Sequence, residues 1–142
     1  MKSKKAGLLA ALFVICLMAA FTISAAAVSY DTSWAFTTGS DGNTIVNGSW
    51  NGVYYSLTKG TATLRLTDGE NCYEGGYYAN LFVQDGFLGL WSTKVEDVYF
   101  NAGPGNMHRH EFSIPKDHDK YYFIYAGDGI YAYYEASGTF SQ

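Results

Sequence analysis

Proline and cysteine are both scarce in this 142-residue chain, which has two of each, and charged residues make up only 15% of it. Two cysteines cannot build a disulfide-dense miniprotein. The low charge, set against 48% hydrophobic residues, excludes a disordered, charge-dominated chain. Nothing past residue 30 carries a helical apolar stripe, and strands do not alternate with helices as a parallel sheet requires. There is no nucleophile elbow, no His-Glu-x-x-His, no phosphate loop and no dinucleotide glycine pattern. The length suits one compact domain. What is abundant is aromatic: 13 Tyr, 9 Phe and 3 Trp.

The first segment reads as an address. Met1-Lys2-Ser3-Lys4-Lys5 is cationic, Ala6 to Ile23 is apolar, and Ser24-Ala25-Ala26-Ala27 supplies small residues before polar sequence begins. That is the layout of a secretory signal peptide, expected over residues 1–27 with cleavage after Ala27. An uncleaved anchor is the competing reading, because the apolar run approaches spanning length. Cys16 sits inside that run behind Val14-Ile15, which argues against lipidation. The mature chain, residues 28–142, is expected to be secreted to the extracellular space, with no membrane span.

Removing Lys2, Lys4 and Lys5 leaves six basic residues against thirteen acidic ones, a formal charge of −7. A chain this acidic, with no basic cluster, is a poor partner for nucleic acid. Cys72 is left alone and is expected as a buried thiol, with an intermolecular bridge as the alternative.

Period-two patterning predicts an all-β fold, a single antiparallel β-sandwich of about eight short strands. Thr61–Thr67 alternates cleanly, with Ala62, Leu64 and Leu66 on one face. Further strands are expected at Trp34–Thr38, Val53–Leu57, Tyr77–Gln84, Phe87–Trp91, Val95–Asn101, His108–Ile114, Tyr121–Ala126 and Ile130–Ala136, with a short piece at Thr139–Ser141. Clusters of Gly, Asn, Asp and Ser between them suit turns.

His108 and His110 fall on one face of a strand, a spacing that can chelate a metal, but His118 belongs to a distant turn and cannot join them. They share that face with Phe112 and Ile114, so a strand with its polar end left wet is the simpler expectation. Asp117-His118-Asp119 matches no calcium loop. A Cys72–His110 thiol–imidazole pair would need proximity in space, and the scattered acids Glu74, Glu96, Asp97, Glu111 and Glu135 would need a shared cleft to act on a glycoside. Asn47-Gly48-Ser49 is a common glycosylation tripeptide. No catalytic residue, metal or cofactor is expected.

Aromatics concentrate near the end. In Tyr121–Tyr125 one face carries Tyr121, Phe123 and Tyr125, the other Tyr122 and Ile124. Tyr131 and Tyr133 likewise oppose Ile130, Ala132 and Tyr134. Joined through Gly127-Asp128-Gly129, these segments are expected to pair as a hairpin with aromatics on both faces. One face lines the core. The other presents tyrosines, which offer apolar area plus a hydroxyl. Tyr122, Tyr131 and Tyr133 are the candidate ligand-binding residues. Cross-strand pairs that only stabilise the sheet are the competing account.

The Lys-rich leader, the early Trp34-Ala35-Phe36-Thr37 strand and the closing Tyr121-Tyr122-Phe123, Tyr134 and Ala136-Ser137-Gly138-Thr139-Phe140 run resemble small secreted β-proteins of Gram-positive bacteria. In style the chain is similar to the lactococcin 972 type of bacteriocin. The resemblance implies a secreted sandwich and carries over no functional residue. The expected role is non-catalytic binding of a cell-surface glycan or protein through the tyrosine-rich surface. A bacteriocin-like antibacterial effector is the alternative.

Overall fold

A computed structural model describes residues 27–39, 44–86 and 90–142. The expected signal peptide therefore lies outside the described residues except for Ala27. Among the described residues ten strands follow in order: β1 (Ser29–Asp31), β2 (Trp34–Thr37), β3 (Thr44–Val46), β4 (Tyr55–Leu57), β5 (Gly60–Asp68), β6 (Gly75–Asp85), β7 (Trp91–Ala102), β8 (Met107–Ile114), β9 (His118–Gly127) and β10 (Tyr133–Ser141). One 3-10 turn, Gly48–Trp50, precedes β4.

The strands form two antiparallel sheets. In the first, β1 and β2 lie end to end along β10, followed by β5 and β8. In the second, β3 and β4 lie along β9, followed by β6 and β7. The chain is an all-β antiparallel sandwich, and pairing reaches Val28, whose backbone exchanges two hydrogen bonds with Gln142.

The core forms where the inner faces meet. From β5 come Ala62, Leu64 and Leu66, from β6 Tyr77, Ala79, Leu81 and Val83, from β9 Tyr121, Phe123 and Tyr125, and from β10 Tyr134 and Phe140. Alternation in each strand dictates these sets. Phe123 packs edge-on against Phe140 at 5.0 Å and against Phe112 at 5.4 Å, joining the two sheets. Each such ring contributes about 1.5–3 kcal/mol by leaving water. Cys72 is buried among them as a free thiol.

The expected final hairpin is corrected: β9 belongs to the second sheet and β10 to the first. Both segments carry an inner row of large rings, and a hairpin would set those rows side by side in one sheet. Placing them on opposite sheets lets the rows meet face to face. The crossing between them is held by Thr38, whose hydroxyl donates to the Gly129 carbonyl at 2.6 Å and accepts from the Ala132 N–H at 2.8 Å.

Other boundaries move. Of the expected Ile130–Ala136 strand only the part from Tyr133 is strand, continuous with the Thr139–Ser141 piece in β10, while 130–132 belong to the crossing; β7 starts at Trp91 rather than Val95. Of the expected Phe87–Trp91 strand, residues 87–89 lie outside the described residues. β1 and β3 were not foreseen, being only three residues long.

Candidate ligand-binding face

The outward face of the second sheet is built by the same alternation that fills the core. β9 turns out Tyr122, Ile124 and Ala126; β6 turns out Tyr78, Asn80 and Phe82; β7 adds Lys94, Asp97 and Tyr99. Register lines them up in three rungs: Ala126–Tyr78–Tyr99, Ile124–Asn80–Asp97 and Tyr122–Phe82–Lys94. Two residues separate neighbouring rungs, so the outer rungs stand about 13–14 Å apart along β6.

The first rung is an aromatic platform. Tyr78 and Tyr99 meet edge-on at 5.0 Å, and they are 43% and 42% exposed. A side chain at Gly76 would meet the Tyr99 hydroxyl at 1.8 Å, so the ring lies against the sheet over that glycine. Its other side is left to solvent. The Tyr99 hydroxyl donates to Asp128 at 2.6 Å, which raises its pKa, and Asp128 also accepts from the Gly76 N–H at 2.9 Å and the Tyr134 hydroxyl at 3.1 Å. Burial pushes the Asp128 carboxyl up, but these hydrogen bonds outweigh it and leave the group below its ordinary range.

The third rung is a second platform. Phe82 and Tyr122 stack at 5.6 Å with a 19° tilt, and Tyr54 stands edge-on to Tyr122 at 6.2 Å. The Tyr54 hydroxyl bonds Gln84, and the Lys120 ammonium lies 5.8 Å from the Tyr54 ring centre. Gly48, at φ +73°, rests on the Tyr122 ring and leaves it only 8% exposed. Between the platforms are hydrogen-bonding groups: Asn80, which donates to the Ile124 carbonyl, and the exposed Lys94–Asp97 pair at 2.7 Å.

The three sequence candidates do not converge. Tyr122 belongs to this face. Tyr133 lies on the outer face of the other sheet, donating to Glu135 at 2.8 Å. Tyr131 is 73% exposed in the β9–β10 crossing, at φ +51°. Tyr78, Phe82 and Tyr99 were missed. Their signal is the Tyr77–Gln84 segment, whose non-core face carries Tyr78 and Phe82 where Thr or Ser would be ordinary.

The histidines are separately engaged. His108 Nε2 lies 2.9 Å from the fully enclosed Asp68, which also accepts from the Tyr77 hydroxyl at 2.9 Å and the Gly103 N–H at 3.1 Å. His108 also stacks on Phe100 at 4.8 Å, so the expectation of a wet polar end fails at this residue. His110 instead pairs with Glu96 at 2.7 Å. Among the described residues no three His, Cys, Asp or Glu side chains gather as a metal site. The Cys72 thiol is pushed up by burial and by the Asp68 and Glu135 carboxylates, which disfavours the reactive thiolate.

No family model matches the chain, and no curated protein matches it. Among solved structures it is similar to the infectious bursal disease virus VP2 subviral particle, at 15% identity and TM-score 0.50, with 83% of this chain and 32% of that chain covered. The T=1 particles derived from infectious bursal virus match at 13% identity and TM-score 0.50, with the same coverage. The chain thus spans about a third of the length of these viral chains. A family 29 carbohydrate binding module from Piromyces equi matches at 13% identity and TM-score 0.44, over 82% of this chain and 91% of that one. At these identities the likeness is one of fold alone.

Proposed function

We propose that the chain is a secreted, non-catalytic module that binds an extracellular glycan through the outer face of its second sheet. The observation that carries this reading is the pair of aromatic platforms, Tyr78–Tyr99 and Phe82–Tyr122, on a face that an ordinary antiparallel sheet leaves polar. Flat rings suit the C–H faces of sugars, and Asn80, Asp97 and Lys94 between them suit hydroxyls. The spacing of the platforms fits a short oligosaccharide lying along β6. Secretion rests on the leader pattern of residues 1–27.

Affinity electrophoresis of residues 28–142 against soluble polysaccharides, with pull-down on insoluble cell-wall material, tests the reading. Wild type should be retained by at least one polymer, and Tyr99→Ala and Phe82→Ala should each weaken retention tenfold or more, as truncation of central aromatic anchors does. Retention by no polymer, or unchanged retention of both variants, removes it.

A protein ligand is the second reading, favoured by the crossing. Ile130 and Tyr131 are 69% and 73% exposed at its tip, and Tyr131 holds a left-handed backbone uncommon for a residue with a side chain. Loss of a partner on Tyr131→Ala, with polymer retention absent in wild type, would select it.

A further inference from the structure

We infer that the cleft between the two interrupted edge strands is a second binding site, one that takes a single sugar ring or the end of a sugar chain. The edge of the first sheet breaks between β1 and β2, and the edge of the second breaks between β3 and β4. The two breaks face each other across a cleft of about 410 Å³, of a size that small-molecule sites use. Asp31, Thr32 and Trp34 line it from one side, and Asn47, Asn51 and Tyr55 from the other.

The lining matches a sugar's two-sided chemistry. Trp34, which is half-buried, supplies ring surface for a C–H face, while Tyr55 closes the cleft floor from the core. Asp31, Asn47 and Asn51 supply polar groups for hydroxyls, and Asp31 is held in place by accepting from the Ser33 N–H at 2.8 Å and hydroxyl at 2.7 Å. Among the described residues no Lys or Arg lines the cleft, and Asp31 is the charged group there, which disfavours an anion.

One buried polar atom sharpens the inference. Among the described residues Thr32 Oγ1 has no hydrogen-bond partner, and Trp34 Nε1 and Tyr125 Oη, which interact with each other, have no other. Thr32 and Trp34 line the cleft, and Tyr125 stacks on Trp34 at 4.5 Å. Buried polar atoms are nearly always partnered, and each exception calls for an explanation. Thr32 is 4% exposed and its hydroxyl is enclosed, so a χ1 rotation is required to bring that hydroxyl to an occupant. A hydroxyl-rich ligand supplies both donors and acceptors to this corner. A purely apolar one would leave it unpaired. The site is independent of the aromatic face, because the turn that presses Gly48 onto Tyr122 stands between them.

The test is saturation-transfer NMR on residues 28–142 with millimolar D-glucose, D-galactose and N-acetyl-D-glucosamine, alongside thermal unfolding. At least one sugar should give a signal with wild type. Thr32→Val, which keeps the side-chain shape, and Asp31→Asn, which keeps an acceptor for Ser33, should each weaken it tenfold or more. Thr32→Val should melt no lower than wild type, because it deletes a hydroxyl that has no partner in the free protein. Absence of signal from all three sugars overturns the proposal. So does a signal that both folded variants retain in full, which would mark adventitious surface binding.

Discussion

The two sheets share one core yet present opposite exteriors. Outward from the first sheet come Thr61, Thr63, Arg65 and Thr67 of β5, Arg109, Glu111 and Ser113 of β8, and Glu135, Ser137 and Thr139 of β10, with Tyr133 the one aromatic among them. Outward from the second come Tyr78, Phe82, Tyr99, Tyr122 and Ile124. The inner faces are equally apolar, so core formation does not account for the difference. A sandwich is satisfied by the Thr-, Arg- and Glu-rich exterior; on the other side Tyr122 is buried under Gly48 and adds to folding, whereas Tyr78 and Tyr99 stay more than two-fifths exposed. Those two exposed rings are the part of the composition that folding leaves unexplained.

The sharpest way to break this contrast is at Gly76. Gly76→Val would drive a side chain into the Tyr99 ring, expelling it from the sheet and from Asp128. Overpacking of this kind costs about 1–3 kcal/mol, and polymer retention should fall to that of Tyr99→Ala. Chemical denaturation with affinity electrophoresis reads both effects. A variant that loses stability but keeps full retention would detach the platform from binding.

A smaller effect follows from the hydrogen bonds that fix each face. Tyr99 bonds Asp128 across the crossing, whereas Tyr133 bonds Glu135 within its own strand. The Asp128 carboxyl lies below its ordinary 3.8, so its contribution is complete above that value and is lost as pH falls through the depressed pKa. The Tyr99 hydroxyl lies above its ordinary 10.0, so its contribution is complete below that value and is lost as pH rises through the raised pKa. Denaturation midpoints against pH should show wild type ahead of Tyr99→Phe between those limits and level with it beyond them. Tyr133→Phe should show the alkaline limb alone, because the bond to Glu135 raises the Tyr133 hydroxyl. Parallel profiles for wild type and Tyr99→Phe would contradict the role given to Asp128.

The smallest effect belongs to the polar exterior. Thr63→Ala and Thr139→Ala should shift stability by no more than about 0.5 kcal/mol and leave retention on polymers unchanged. A loss of retention there would move the binding face to the first sheet.

Strand content was readable from residue alternation, because Leu64 and Leu66 or Tyr121, Phe123 and Tyr125 need a buried side whichever strand adjoins them. Sheet membership was not. Whether β9 pairs with β10 or faces it depends on bonds from Thr38, about 90 residues upstream, which no local pattern displays. The candidate site was readable in the same measure. Tyr122 stands out in its own strand, but the platform at Tyr99 depends on a glycine in the neighbouring strand and a carboxylate in a distant turn. The cleft between the broken edges depends on four strands of three or four residues each, too short to carry much periodic signal.

The position of β10 has a consequence for the order of assembly. It touches β1 and β2 on one side and β5 on the other, so the first sheet has no middle until the final strand of the chain is present. Pairings such as Ser29 with Ser141 span nearly the whole domain, and long-range closures of this sort come slowly. A chain delivered amino end first therefore keeps its first sheet open until residues 133–141 arrive.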